Sequence, residues 1–123
     1  MKKFILPFIL MLVVAFVSNV QAQITTPQPS PFSKVEQKVG LVDVSVEYSR
    51  PSKKDREIFG GLVPYGEKWR TGANKNTIIE FSGDVTVQGE ALKAGKYAIY
   101  TIPDKVSWTF MFYTDTENWG TPR

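Results

Sequence analysis

The sequence contains no cysteine and no histidine among its 123 residues. Without cysteine there is no disulfide, so a packed core must hold this chain together. Without histidine the chain has neither a Ser-His-Asp triad nor a Cys-His pair. The commonest protein ligand of zinc, copper and non-haem iron is also missing. These absences exclude His- and Cys-dependent catalysis, and we assign no catalytic residue, metal ligand or cofactor.

The chain also lacks a hydrophobic run that would span a bilayer comfortably. Lys2 and Lys3 precede an apolar stretch over residues 4–17, which Pro7 interrupts, whereas a membrane-spanning helix needs about 20 apolar residues. The stretch then ends in small residues, Val20 and Ala22. This order is typical of a cleavable signal peptide. We therefore predict a signal peptide over 1–22, export to the periplasm or the extracellular space, and no stable membrane insertion afterwards.

Excess charge of one sign disappears with the signal peptide. Residues 1–22 hold two lysines and no acid, so 13 basic residues remain against 12 acidic ones. The densest basic segment, residues 53–57, also contains Asp55 and Glu57. A nucleic-acid-binding protein would show a basic stripe or a known motif. The sequence therefore predicts no nucleic-acid partner.

Sustained helical periodicity is absent after the signal peptide. Residues 23–32 hold three prolines and predict an extended leader, and residues 33–123 predict a β-rich domain. Short runs that alternate apolar and polar residues, separated by Gly and Pro turns, predict strands. The predicted strands cover 35–39, 42–48, 76–81, 85–87, 90–92, 95–102 and 106–114. The predicted fold is all-β, an antiparallel β sandwich or barrel-like domain of six or seven strands.

The long loop over residues 60–74 is the predicted binding site, because loops held by a β scaffold commonly carry function. It contains Tyr65, Trp69, Arg70 and Asn74. Trp69 fits either a stacking platform or, preferably, an anchor that packs the loop onto the sheet. Two roles remain open for Arg70: its guanidinium could bind an anion in bidentate fashion, or it could donate hydrogen bonds to unpaired carbonyl groups of the loop. Arg50 is a further residue of an anion pocket, and Asn74 fits a turn with positive φ.

A series of short motifs occurs in order along the mature chain. They are Tyr48-Ser49-Arg50-Pro51, Arg56, Ile58-Phe59-Gly60, Val63-Pro64-Tyr65-Gly66, Trp69-Arg70-Thr71-Gly72-Ala73-Asn74, Ala94-Gly95-Lys96-Tyr97, Ile102-Pro103, Trp108 and Trp119-Gly120. Together they resemble the domain of unknown function 2911 family, from exported proteins of Bacteroidetes-type bacteria. The resemblance implies export and a β-rich fold, and it brings no established activity.

The end of the chain predicts an incomplete domain. Members of the family that the chain resembles look longer, with further strands after the Trp-Gly motif. We expect Trp108, Phe110 and Phe112 to share one face as core or inter-sheet residues. An open edge beside that face would be prone to aggregation. The chain is therefore interpreted as a fragment that folds poorly without more sequence.

Three functions remain as hypotheses. The leading one is a non-catalytic binding module for a small anionic or sugar-like ligand. The second is a carboxylate-based, glycosidase-like hydrolase, for which Glu47, Glu67 and Glu80 are the acids to consider, with Glu67 and Glu80 as guesses for the reacting pair. The third is a structural or assembly role, in which an open sheet edge accepts a strand from a partner.

Overall fold

The computed structural model describes residues 24–121, which fold into seven strands and no helix. The strands are β1 Phe32–Val39, β2 Val42–Ser49, β3 Thr77–Phe81, β4 Val85–Val87, β5 Glu90–Leu92, β6 Gly95–Pro103 and β7 Trp108–Tyr113. The all-β, antiparallel class is confirmed. The predicted signal peptide lies outside the described residues. Within 24–121, no helix has the length and apolar character that a membrane span requires.

Five of the strands form one antiparallel sheet in the order β1-β2-β3-β6-β7. Strands β4 and β5 form a separate two-stranded hairpin, inserted between β3 and β6. Short connections explain the antiparallel pairing of β1 with β2 and of β6 with β7, because parallel strands need a long crossover. In the described part of the chain, β1 and β7 are therefore the two edges of the sheet.

The β4–β5 hairpin turns at Gln88 and Gly89, as the sequence predicts. Both residues have positive φ, 54° and 90°, which is the conformation of a two-residue type I′ turn. The base of the hairpin is fixed by Asp84, whose carboxylate accepts hydrogen bonds from Lys93 Nζ at 2.7 Å and from the backbone N–H of Ala94 at 2.9 Å. The hairpin is thus defined locally, by its turn and by one acidic side chain.

The two faces of the sheet differ because side chains alternate along each strand. The register places Val46, Ile79 and Tyr97 side by side on one face, which we call the aromatic face. On the opposite face, the polar face, the same ladders align Glu47 with Ile78 and Ala98. Strand β6 lies inside the sheet, and residues 97–101 are all buried.

The predicted aromatic stripe of the last strand forms, but its burial was predicted wrongly. Trp108, Phe110 and Phe112 pair with Pro103, Thr101 and Ile99 and therefore lie together on the aromatic face. Trp108 and Phe110 are nevertheless exposed, and Phe110 keeps 57% of its surface. The reason is that, within residues 24–121, β7 is an edge strand of the five-stranded sheet, and no second sheet of this part of the chain covers Trp108 and Phe110.

Candidate functional site

The long loop is fixed to the sheet by backbone hydrogen bonds at three places. Gly66 N–H donates to Pro103 O at 2.9 Å, and Ala73 N–H donates to Ser49 O at 3.3 Å. Between them, Trp69 and Thr101 exchange two hydrogen bonds, of 2.7 and 2.9 Å, as an antiparallel bridge. The side of β6 that pairs with β3 over residues 95–99 therefore pairs with the loop at Thr101.

Trp69 lies on the aromatic face. Its ring makes edge-to-face contacts with Phe59, at a centroid distance of 6.0 Å, and with Trp108, at 6.4 Å. Phe59 and Trp108 are themselves in edge-to-face contact at 4.9 Å. We call these three rings the aromatic cluster. Such contacts stabilise beyond the burial of area alone, and they are the geometry of an anchor that joins the loop to β7.

Arg70 follows Trp69 and lies on the polar face, because the bridge to β6 keeps the alternation of a strand. Its neighbour Lys68 points the same way and donates from Nζ to the Tyr113 hydroxyl at 3.3 Å. The Arg70 Nη1 donates to the Asn74 carbonyl at 2.9 Å. The guanidinium thus ties together the loop backbone, as one of the two predicted roles requires.

Asn74 joins the loop to the leader. Its φ is 59°, so the expected positive φ is confirmed. The side-chain Nδ2 donates to the Ser30 carbonyl at 3.2 Å and to Gln28 Oε1 at 3.4 Å. Through Arg70 and Asn74, the leader, the loop and the polar face meet at one place.

The other predicted site residues lie elsewhere. Arg50 is exposed beside the leader, where its backbone N–H donates to Pro31 O at 3.0 Å. The Tyr65 ring packs on Gly60, so closely that a Cβ at Gly60 would lie 2.9 Å from it. The Lys105 ammonium stands 5.9 Å from the centre of the same ring. Among the five predicted residues, a described hydrogen bond joins only Arg70 to Asn74.

A pocket of about 680 Å³ opens next to Asn74, between the leader, the polar face and the C-terminal tail over residues 114–121. We call it the tail pocket. Its apolar lining includes Phe32, Ile78 and Trp119, and its polar lining includes the amide residues Gln28 and Asn74. Trp119 is 73% exposed. The pocket therefore combines an available aromatic ring with hydrogen-bonding amides.

Asn76 is one of the residues of this site that the sequence analysis did not single out. It is only 4% exposed, and both polar atoms of its amide are enclosed without a hydrogen bond of ordinary geometry among the described residues. Burial raises the pKa of the neighbouring Tyr100 hydroxyl, whereas its polar contact with the Asn76 side chain lowers that pKa, so Tyr100 is the polar group that the amide meets. Because both polar atoms are enclosed, Asn76 lines the tail pocket with its other atoms and supports the pocket from below.

The charges around the tail pocket balance. Glu47 and Glu117 line it together with Lys75 and Lys96. Glu47 lies 3.5 Å from Lys34, and Lys96 lies 3.7 Å from Glu80, so two of these four charges are already paired. A surface of this kind has no strong preference for an anion. The Arg70 guanidinium, which would supply one, does not line the pocket.

Glu47, Glu67 and Glu80, the acids considered for hydrolysis, meet only part of the geometry that a glycosidase needs. Glu47 and Glu80 are diagonal neighbours on β2 and β3, a relation that separates side chains by about 7–8 Å. An inverting glycosidase needs a similar spacing and one acid whose pKa is raised by burial. Both carboxylates here are half-exposed and close to lysines, while Glu67 is exposed on the loop. Within 24–121, no cluster of three acidic residues forms a metal site.

Comparison with known proteins places the chain in a family of unknown function. No match was found among curated proteins, and none among solved structures. The family model described as a protein of unknown function, DUF2911, matches residues 30–123. That match takes in every described strand, the loop and all of the tail-pocket lining except Gln28. The chain belongs to the DUF2911 family.

Proposed function

We propose that the protein is an exported, non-catalytic binding domain whose ligand is a neutral, sugar-like molecule held in the tail pocket. The observation that carries the proposal is that the exposed Trp119 lines the same pocket as the amide residues Gln28 and Asn74. Ligand sites combine apolar and aromatic walls with a few polar groups that fix orientation. Sugars match this composition, because they present an apolar ring face and a rim of hydroxyl groups.

The balanced charge of the pocket favours a neutral ligand over an anionic one. Two acids face two lysines around the rim. Side-chain amides donate and accept hydrogen bonds at once, which suits hydroxyl groups that do the same. The proposal therefore keeps the sugar-like ligand of the sequence-based hypothesis, and it moves the site from the loop to the pocket beside it. Neither nucleic acid nor a membrane is part of the proposed function.

Binding is tested by screening the protein on immobilised neutral and acidic glycans, followed by calorimetry with the best one. Trp119→Ala should weaken binding by roughly tenfold, because it removes the stacking ring. Asn74→Ala should weaken binding too. Leu41→Ala should leave binding unchanged, because Leu41 lies in the exposed β1–β2 turn and does not line the tail pocket. Recovery of the glycan unchanged supports binding without catalysis.

Two results would contradict the proposal. One is a screen in which only acidic glycans bind, which would return attention to Arg50 and Arg70. The other is binding by Trp119→Ala at the strength of the parent protein. Cleavage of a glycan that stops in Glu47→Gln or Glu80→Gln would instead support the hydrolase.

Export is tested by the mass of the protein recovered from the periplasm or the medium. We expect cleavage after Ala22, with Gln23 as the first residue, because Val20 and Ala22 supply the small side chains that precede a cleavage site. The matched variant Ala22→Arg should accumulate uncleaved. Exported protein that still begins at Met1 would show that residues 1–22 are not removed.

A further inference from the structure

Tyr100 is a fully buried residue of β6 whose hydroxyl reaches the C-terminal tail. By the alternation of the strand its side chain lies on the polar face, as that of Ala98 does. Its hydroxyl meets the Asn76 side chain and donates to the Gly120 carbonyl at 3.3 Å. A tyrosine hydroxyl donates one hydrogen bond and accepts others. Tyr100 therefore joins the interior of the sheet to the residue that follows Trp119.

The tail has little structure of its own that would place Trp119 on the sheet. None of residues 114–121 belongs to a strand or a helix. Asp115 fixes one turn, because its carboxylate accepts hydrogen bonds from the Glu117 N–H at 3.2 Å and from Asn118 Nδ2 at 2.7 Å. Both of these bonds lie within the tail, so they leave its position on the sheet undetermined. The Trp119 side chain adds little, since it is largely exposed.

The surroundings of Tyr100 keep its hydroxyl fixed and ready to donate. Burial raises the pKa of this hydroxyl, which is about 10 in an unperturbed tyrosine, so the group keeps its proton at neutral pH. The ring is in edge-to-face contact with Tyr113 at a centroid distance of 5.0 Å. Asn76, on which the hydroxyl rests, is itself buried. The group that meets the Gly120 carbonyl is therefore held in place from within the sheet.

We propose that Tyr100 is a positioning residue, whose hydrogen bond to Gly120 holds the tail on the polar face and so places Trp119 at the tail pocket. The tail supplies three residues of the pocket lining, Thr116, Glu117 and Trp119. This wall of the pocket exists while the tail is docked. The ligand is the neutral, sugar-like molecule of the proposed function, and the inference rests on that function for the binding measurement below.

The motion of the tail tests the proposal without any ligand. It is measured by ¹⁵N nuclear magnetic resonance relaxation on protein purified from cells that express the full chain. Tyr100→Phe keeps the buried ring and removes the hydroxyl. We expect the backbone order parameters of residues 118–120 to fall from near the value of a rigid backbone, about 0.85, to below about 0.6.

Tyr97→Phe is the matched control, because it removes the same group from the same strand on the opposite face. Tyr97 is also buried, and its hydroxyl donates to the Lys93 carbonyl at 2.7 Å. A tyrosine hydroxyl bound to a backbone carbonyl is thus lost in both variants. We expect the order parameters of residues 118–120 to stay at the parent value in Tyr97→Phe.

Gly120→Ala reaches the same contact from the tail and leaves the buried residues unchanged. Gly120 has a φ of +87°, and nothing lies within 4 Å of its missing Cβ. The substitution therefore strains the backbone that presents the carbonyl to Tyr100 and causes no clash with the sheet. We expect the same loss of order as in Tyr100→Phe. This variant decides the question if Tyr100→Phe does not fold.

Calorimetry with the neutral glycan that binds best gives the second readout. Tyr100→Phe and Gly120→Ala should each raise Kd by about fivefold, because the ligand then has to select a smaller fraction of docked tail. Tyr97→Phe should bind like the parent. Unchanged tail order in both variants would overturn the inference, as would a loss of order that leaves Kd unchanged. A parent protein that binds no glycan, with tail order lost in both variants, would contradict the proposed function and support the positioning role of Tyr100.

Discussion

Trp69→Ala is expected to lower the free energy of unfolding by about 3 kcal/mol, the lower end for loss of a large aromatic side chain. The ring contacts both Phe59, just before the loop, and Trp108, on β7, so its removal takes away two of the three ring contacts of the aromatic cluster and leaves only the contact between Phe59 and Trp108. The loop backbone bridge to Thr101 remains. Urea unfolding followed by far-UV circular dichroism gives the value.

Trp119→Ala is the matched control for this experiment. Its side chain is 73% exposed, and we expect a change within about 0.5 kcal/mol. Comparing the two variants therefore distinguishes a tryptophan that stabilises the fold from one that binds the ligand. A Trp69→Ala protein that unfolds like the parent but no longer binds ligand would reverse the assignment and make Trp69 the platform.

Gly72→Ala is expected to cost about 3 kcal/mol, from two sources of similar size. The glycine has a φ of +156°, and an added Cβ would lie 2.9 Å from Thr77 Oγ1. Thr77 is buried, and its hydroxyl donates to Thr71 O at 2.7 Å, so it has no room to move away. Backbone strain and overpacking each contribute roughly 1–3 kcal/mol.

Gly66→Ala isolates the backbone part of that cost. Gly66 belongs to the same loop and has a φ of +77°, yet nothing lies within 4 Å of its missing Cβ. The variant should lose about 1–2 kcal/mol. Equal losses in the two variants would show that Thr77 yields and that the close approach at Gly72 has no energetic weight.

Most of the fold could be predicted because it is encoded locally. The strict alternation over residues 42–48 predicts β2, which is observed at Val42–Ser49. The Gln88–Gly89 pair predicts its hairpin for an equally local reason, since two residues with positive φ define the turn. The exposure of Trp108 and Phe110 was missed because it depends on which strand ends the sheet, and no pattern within β7 contains that information.

The candidate site was predicted less well, because it is assembled from distant segments. Gln28, Asn76 and Trp119 meet only when the leader, the segment just before β3 and the tail come together. One signal was available in the loop itself: Lys68, Trp69 and Arg70 alternate in polarity, as in a strand, and this pattern separates Trp69 from Arg70. The arrangement of these two residues on opposite faces follows from it.

The order of the strands also bears on how quickly the chain folds. The β1–β2 and β6–β7 hairpins have short connections, whereas β2 and β3 are separated by residues 50–76. Hairpins form in about 1–10 μs, while pairing across a long loop must first overcome its closure entropy. We expect the two hairpins to form early and the β2–β3 junction to limit the rate. The contacts that hold the loop on the sheet would then form after the rate-limiting step of folding. A substitution that weakens these contacts should therefore raise the unfolding rate and leave the folding rate nearly unchanged.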